Sequence, residues 1–444
     1  MKVDKAHGML IGVAYGDALG APCEFNGKGK YVPDKIHSNW FFEKRNQYNF
    51  RMKLQPGQVT DDTEMTISLM RALEKGYNKT NAINEYHTFV NSGTYCLGTN
   101  TKSLLHGYKT VKLYDKKFAQ KFSTLSAIEN SQSNGHLMRI SPAALLSNAN
   151  SRRLVSEMDC LLTNPSSNAK FANLFYVELL HFCLLESNVG TCKNHIHNQC
   201  QEKVLNDIGH CFRDALKSVY DRDLQNQRGW NMHSLSVALW ASMNSDSFHE
   251  GVVKIIRCGG DTDTNAAIGG ALLGAIYGQN NMMQDEHVVW NVDFIFNKTE
   301  SKIESGNGNY DKCLLRDSMW HPRQLLNLSE IIMKQEIDNY RLEKEIQLIN
   351  SALSVIRKRT TKDAKTIAFI GCSRSGKTTL SRACLSALKN KGFTCEIIAN
   401  GRVKSCVKME TKLPGDKVQL ILELTPKEKD EVFSALKGIS GSGH

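Results

Sequence analysis

The chain has 444 residues, 41% of them hydrophobic and 23% charged, with 13 cysteines and a formal net charge of +11. These proportions leave room for a large core and more than one domain, and they exclude a disordered or collagenous chain. The cysteines are odd in number and scattered, which excludes a disulfide framework and points to a reducing compartment such as the cytoplasm.

The chain starts Met1-Lys2-Val3-Asp4-Lys5, without the pattern of a signal peptide. The apolar run from Gly8 to Ala21 is broken by Asp17 and is too short to cross a bilayer, so no membrane partner is expected. Gly8, Gly12, Gly16 and Gly20 recur every four residues and fall on one helix face. Each glycine costs a helix roughly 1 kcal/mol relative to alanine, so a second helix must approach closely to compensate. Gly270, Gly274 and Gly278 repeat the device, which predicts that these two helices pack together. Asp17 and Glu24 fall in an acidic turn, Gly16-Asp17-Ala18-Leu19-Gly20-Ala21-Pro22-Cys23-Glu24.

Residues 26–55 are polar and irregular and include Trp40-Phe41-Phe42, which predicts a long loop over the site. After Pro56-Gly57, Thr60 is placed to cap a helix with Ile67, Leu69, Met70 and Leu73 on its apolar side. Asp61 and Asp62 then fall in its first turn, where the helix dipole alone favours them. Helices are expected over 81–90, 170–186, 203–220 and 233–245, with a turn at Thr94–Thr101. The stretch Ser133-Asn134-Gly135-His136-Leu137-Met138-Arg139 reads either as an ordinary helix cap or as a loop presenting N–H groups to an anion. The tract from Cys192 through His195 and His197 to Cys200 lacks zinc-finger spacing and reads as a polar loop between helices.

The most informative stretch is Arg257-Cys258-Gly259-Gly260-Asp261-Thr262-Asp263-Thr264-Asn265. Two carboxylates this close repel one another unless a cation lies between them, and oxygen ligands suit Mg²⁺, Mn²⁺ or Ca²⁺. The competing reading is a helix N-cap in which Asp and Thr satisfy orphan N–H groups.

Residues 325–357 read as one long amphipathic helix without a clean heptad. A short apolar strand then enters Gly371-Cys-Ser-Arg-Ser375-Gly376-Lys377-Thr378-Thr379, the strand–loop–helix context of a phosphate-binding loop. Such a loop takes ATP or GTP through Gly371, Ser375, Gly376, Lys377, Thr378 and Thr379. Only short strands at 394–399 and 418–424 follow, and Glu423 is the one candidate for a Mg²⁺-binding acid, so the module reads as incomplete. Residues 351–444 carry 18 Lys/Arg against 8 Asp/Glu and residues 1–350 carry 38 against 37, so nearly all the excess charge is C-terminal. A nucleotide or nucleic-acid partner suits that end, as does a plain solvated lysine surface.

Gly-Asp-Ala-x-Gly at 16–20, Thr-Asp-Asp-Thr at 60–63 and Gly-Asp-Thr-Asp-Thr-Asn-Ala-Ala at 260–267 together resemble the ADP-ribosylglycohydrolase family, which includes the dinitrogenase-reductase-activating glycohydrolases. The resemblance covers about residues 6–300. It implies an all-α domain over 1–322, to which 323–360 adds a helical linker and 361–444 a small α/β P-loop module. It implies two Mg²⁺ or Mn²⁺ ions on Thr60, Asp61, Asp62, Asp261, Asp263 and Thr264, with Glu24 and Asp62 as catalytic candidates. Asp17, Asn134, Gly135, His136, Met138 and Arg139 are the implied substrate-binding residues. The implied partner is an ADP-ribosylated protein or a small ADP-ribosyl conjugate. Two departures stand out. His136 occupies a position that is usually small in the family, and Asn164 replaces the histidine of a Thr-His-Pro turn. A turnover-deficient ADP-ribose binder, or a nucleotide or polynucleotide kinase with an accessory glycohydrolase domain, are the competing readings.

Overall fold

The computed structural model describes residues 3–24, 29, 32, 34–36, 56–92, 94, 97–107, 110–205, 208–298, 319–358, 394–399 and 405–410. The chain divides into two compact units. One comprises Met1–Gly107 with Ser131–Glu343, the other Tyr108–Asn130 with Lys344–His444.

Among its described residues the first unit is built from helices and their connections, with one isolated antiparallel bridge between Ser133 and Trp230. Its axis is α1 (Val3–Gly20), whose residues are almost all buried, as expected of a helix apolar on every side. On it packs α2 (Asp61–Glu74), on α2 packs α3 (Lys79–Asn91), and on α3 packs α4 (Thr99–Leu105). In the second unit lie α5 (Val111–Lys121) and α6 (Leu125–Glu129). The first unit resumes with α7 (Ala149–Thr163), α8 (Ser167–Leu185), α9 (Val189–Lys203), α10 (Gly209–Ala215), α11 (Asn231–Met243) and α12 (Phe248–Arg257). It closes with α13 (Thr262–Tyr277), α14 (Gln279–Met282), α15 (Glu286–Asp293) and α16 (Arg323–Met333). All sixteen residues of α13 are buried.

The glycine faces meet as the spacing predicts. A Cβ on Gly12 would sit 2.0 Å from the carbonyl oxygen of Gly270, and one on Gly8 2.5 Å from that of Gly274. Further along, Gly16 lies against Ala266 and Gly20 against Thr262, so α1 and α13 run antiparallel with backbone on backbone. Thr262 adds a hydrogen bond from its Oγ1 to the Gly20 carbonyl at 2.8 Å. This register brings the C-terminal end of α1, with Asp17, to the N-terminal end of α13, with Asp263.

Several sequence expectations change. The Cys192–Cys200 tract is not a loop but the body of α9, capped by the Asn188 side chain on the Thr191 N–H. Cys192, Ile196 and Cys200 are its buried stripe at four-residue spacing, so both thiols are core groups. The helix expected over 203–220 is confined to α10. The helix expected over 325–357 is two, α16 and α17 (Asn339–Lys358), separated by 334–338. Asp338 interrupts it: its carboxylate accepts from the Arg341 N–H at 3.0 Å, a new cap that starts a second helix. The first of the pair packs on α1 and α2 through Leu325, Leu328 and Ile332, so it belongs to the helical body.

In the second unit the rings of Tyr114, Phe118 and Phe122 form one cluster, with centroids 5.9 and 4.8 Å apart. β1 (Thr394–Ala399) pairs with β2 (Ser405–Glu410) as an antiparallel hairpin, Thr394 opposite Glu410. The first strand was expected. The second replaces nothing foreseen, and the expected strand at 418–424 lies outside the described residues. So do Gly371, Ser375, Gly376, Lys377, Thr378, Thr379 and Glu423, and with them the predicted α/β P-loop arrangement. The predicted loop residues Trp40, Phe41 and Phe42 also fall outside. Among the described residues, no helix is long and apolar enough to cross a membrane.

Candidate active site

Three helix ends converge. Asp17 arrives from the last turn of α1, Thr60, Asp61 and Asp62 from the start of α2, and Asp261, Asp263 and Thr264 from the start of α13. Glu24 follows the short 3₁₀ turn Ala21–Cys23 that continues α1.

The caps are not built as the sequence suggested. Thr60 occupies the N-cap of α2, yet its side chain makes no capping bond. Asp17 takes that task from another helix. Its Oδ2 accepts from the Thr60 N–H at 2.9 Å, the Thr63 N–H at 3.1 Å and Thr63 Oγ1 at 2.6 Å. Thr60 Oγ1 lies 2.8 Å from Asp17 Oδ1 and 3.1 Å from Asp62 Oδ2. Asp261 stands at the N-cap of α13 and likewise makes no side-chain cap. Gly259 and Gly260 precede it with φ of 78° and 80°, in the left-handed region that suits glycine. A Cβ on Gly260 would also meet the Leu224 carbonyl at 2.6 Å.

Ligand-type oxygens of Asp17, Asp62 and Asp263 all lie within 4.8 Å of one another, and so do those of Glu24, Asp261 and Asp263. The two triads share Asp263. Burial pushes the carboxyl of Asp17 up, against hydrogen bonds from Thr63 and Thr60. Burial raises Asp62 and Asp263 well above the usual carboxylate range, reinforced by the neighbouring carboxylates. It raises Asp61 to about 6, with the Gly98 N–H opposing, and Glu24 to about 9, with Asp261 and Asp61 adding to the push. Asp62 Oδ1 is buried and has no hydrogen-bond partner among the described residues. A bare carboxylate oxygen in such a place is costly unless a cation meets it. The donor set is all oxygen, carboxylate and hydroxyl, and so it fits a hard divalent ion.

The Asn134 turn forms a second wall. Asn134 Nδ2 donates to Asp261 Oδ2 at 2.9 Å and lies 3.1 Å from Ser234 Oγ, and the Asn134 N–H donates to the Gly229 carbonyl at 2.8 Å. Gly229, with φ of 72°, brings backbone up to Asp261, where a Cβ would stand 3.3 Å from Oδ2. Gly135 and the 5%-exposed Met138 follow on this turn.

His136 and Arg139 face inward rather than lining an open pocket. His136 is fully buried between Asn173 and Asn231. Arg139 is also fully buried. Its Nε donates to Asp159 Oδ2 at 2.8 Å, its Nη2 to the Asp159 carbonyl, and its Nη1 to the Gly135 carbonyl at 2.8 Å. It supports the turn from beneath. Asn164, where the family pattern has a histidine, braces the same turn, its Nδ2 lying 3.1 to 3.2 Å from the carbonyls of Ser131 and Ser133.

Sequence reasoning missed Ser234, Gly229, Asn231 and Gly98, which reach this region from elements distant in the chain. Gly98 donates its N–H to Asp61 Oδ2 at 3.3 Å. The signals that pointed there were the expected turn at Thr94–Thr101, which holds Gly98, and the expected helix over 233–245, which holds Ser234.

Residues 1–287 match the model of the ADP-ribosylglycohydrolase family. The ADP-ribosyl-dinitrogen reductase glycohydrolase of Rhodospirillum rubrum is 26% identical over 285 residues, 63% of this chain and 87% of that protein. The ADP-ribosylarginine hydrolase Tri1 of Serratia proteamaculans is 25% identical over 293 residues, 63% of this chain and 73% of its own length. A solved structure titled ADP-ribosylglycohydrolase-related protein complex superposes with a TM-score of 0.53 at 21% identity, covering 74% of this chain and 98% of the other. That last likeness bears on the fold alone.

Proposed function

The chain belongs to the ADP-ribosylglycohydrolase family, and from that premise we propose how its acidic pocket performs hydrolysis. The protein is an ADP-ribosyl hydrolase: water replaces the group attached to the anomeric carbon of ADP-ribose. The favoured conjugate is an arginine side chain of a modified protein, the linkage named for the relative from Serratia proteamaculans. Hydrolysis there adds the water oxygen to the anomeric carbon, breaks the C–N bond and returns a proton to the leaving guanidine.

The carrying observation is the pair of overlapping carboxylate triads with the unpartnered Asp62 Oδ1. Thr60, Asp61, Asp62, Asp261, Asp263 and Thr264 would hold two ions, Mg²⁺ or Mn²⁺. Such ions, when bound, stabilise negative charge and make water more acidic. The rest falls to the chain. Asp17 fixes the start of α2 and so the direction of Asp62. Asn134 fixes Asp261 through its side-chain amide. Glu24, in its half-buried place among other carboxylates, is positioned to hold the proton that the leaving group takes, with Asp62 as the second acid/base candidate. Gly135 and Met138 would line the ADP-ribose side of the turn. The lysine-rich C-terminal end, with its P-loop pattern, would bind a nucleotide as an accessory outside this chemistry.

The test is a panel of defined ADP-ribosyl conjugates, on arginine, on serine, on a nucleic-acid end and on acetate, each with Mg²⁺ and with chelator. Release from the arginine conjugate with Mg²⁺, and at least about a hundredfold loss in Asp61→Asn and Asp261→Asn, is expected. Unchanged release in either variant overturns the mechanism. Tight ADP-ribose binding without release from any conjugate would mean a binding protein instead.

A further inference from the structure

His136 differs from its surroundings in having every hydrogen bond assigned by its neighbours. Asn173 Nδ2 donates to the Ser156 carbonyl at 3.2 Å, which fixes that amide and leaves Oδ1 facing His136 Nδ1 at 2.7 Å. Nδ1 must therefore carry the proton. His136 Nε2 is then bare, and it accepts from Asn231 Nδ2 at 3.0 Å. The imidazole is one defined tautomer joining the turn at 134–136 to α8 and to the first residue of α11. Burial pushes its pKa down to about 3, so the ring is neutral and both bonds persist at physiological pH.

The same turn carries Asn134, and its geometry leaves little freedom. The Asn134 N–H is taken by the Gly229 carbonyl, the Gly135 carbonyl by Arg139, and the Asn134 amide by Asp261 Oδ2 and Ser234 Oγ. Ser234 lies on α11 one turn after Asn231. The ring thus ties together the two elements, turn and α11, that jointly hold the Asn134 amide. We propose that His136 is a positioning residue of the hydrolase: through the Asn173–His136–Asn231 chain it sets the Asn134 amide that orients the Asp261 carboxylate. The inference rests on the reading of Asp261 as a cation-holding group. It assigns a role to a residue whose size at this position would otherwise suggest that it narrows the substrate pocket.

The experiment compares His136→Ala, His136→Gln and Tyr277→Phe in the full chain. Tyr277 loses one buried hydrogen bond to the Ser245 carbonyl at the other end of α13, about 21 Å from Asp263 along the helix. It controls for stability alone. Binding of Mn²⁺ to the substrate-free protein is measured by titration calorimetry, and kcat and KM for ADP-ribose release are measured separately. His136→Ala is expected to bind Mn²⁺ about tenfold more weakly and to lose kcat, with KM little changed. His136→Gln, whose amide can still accept from Asn231, recovers most of both. Tyr277→Phe lowers the melting temperature and leaves Mn²⁺ affinity alone. Wild-type Mn²⁺ affinity in a folded His136→Ala, or equal loss in His136→Ala and Tyr277→Phe, overturns the positioning role. A selective rise in KM would instead make His136 a pocket wall, which also overturns it. If the wild type binds Mn²⁺ but releases no ADP-ribose, the functional reading fails while the calorimetric comparison still decides this one. If the wild type binds no Mn²⁺, both fall.

Discussion

Arg139 carries a full charge into a place without solvent, where Asp159 is equally buried. Tyr77 and Tyr86 donate to the same carboxylate, and the Tyr86 ring lies under the guanidinium with 4.7 Å to its centroid. Breaking such a pair leaves one charge uncompensated in a low-dielectric interior, which typically costs about 3–5 kcal/mol. Arg139→Met is therefore expected to lower the unfolding free energy by about that amount in urea denaturation, with Asp159→Leu in the same chain restoring part of it. The motif around Asn134 was legible in the sequence, but the inward direction of Arg139 was not. That direction is set by Asp159 and Tyr86, on α7 and α3, and nothing in the spacing from 134 to 139 encodes them. His136 was opaque for the same reason, because Asn173 and Asn231 lie 37 and 95 residues away.

At the scale of elements, the site exists because α1 and α13 lie in one register. Glycine periodicity made that pairing readable in advance, since a face without side chains lets a second helix approach backbone to backbone. The boundaries of α9, α16 and α17 were less readable, because a capping residue such as Asn188 or Asp338 acts locally inside an otherwise continuous amphipathic pattern. Gly270 shows what the register costs to disturb. A Cβ there would stand 2.2 Å from the Gly12 carbonyl oxygen, and only backbone could move aside. Gly270→Ala gains roughly 1 kcal/mol of helix propensity. Overpacking against backbone outweighs it, at the upper end of the 1–3 kcal/mol range or beyond. A net fall of at least about 1 kcal/mol in stability is expected by denaturant titration. Because the helices must slide or part, Mn²⁺ affinity should drop with it, and a more stable Gly270→Ala protein would contradict the packing argument.

For the molecule as a whole, the pocket is a destabilising element that a ligand converts into a stabilising one. Asp17, Asp62 and Asp263 have their carboxyl pKa values raised in the folded state, with Asp61 at about 6 and Glu24 at about 9. A group raised on folding binds its proton more tightly in the folded than in the unfolded chain, whose carboxylates titrate near 4. Its contribution to stability is complete below that value and is lost as the pH climbs through the folded pKa. Without divalent cations, the melting temperature should therefore decline as pH rises from about 5 through 9. Any ion that binds the folded chain alone adds stability by mass action, more so where the carboxylates are already ionised. Mg²⁺ or Mn²⁺ should then raise the melting temperature most at the alkaline end and flatten the profile. Thermal melts of the full chain at pH 5, 7 and 9, with chelator and with each ion, measure both effects. Asp62→Asn removes one of the crowded charges. It should melt higher than the wild type in chelator at pH 9 and gain less from added ion. A wild-type profile in chelator that rises with pH would mean that these five carboxylates do not share the buried, mutually repelling pocket described above.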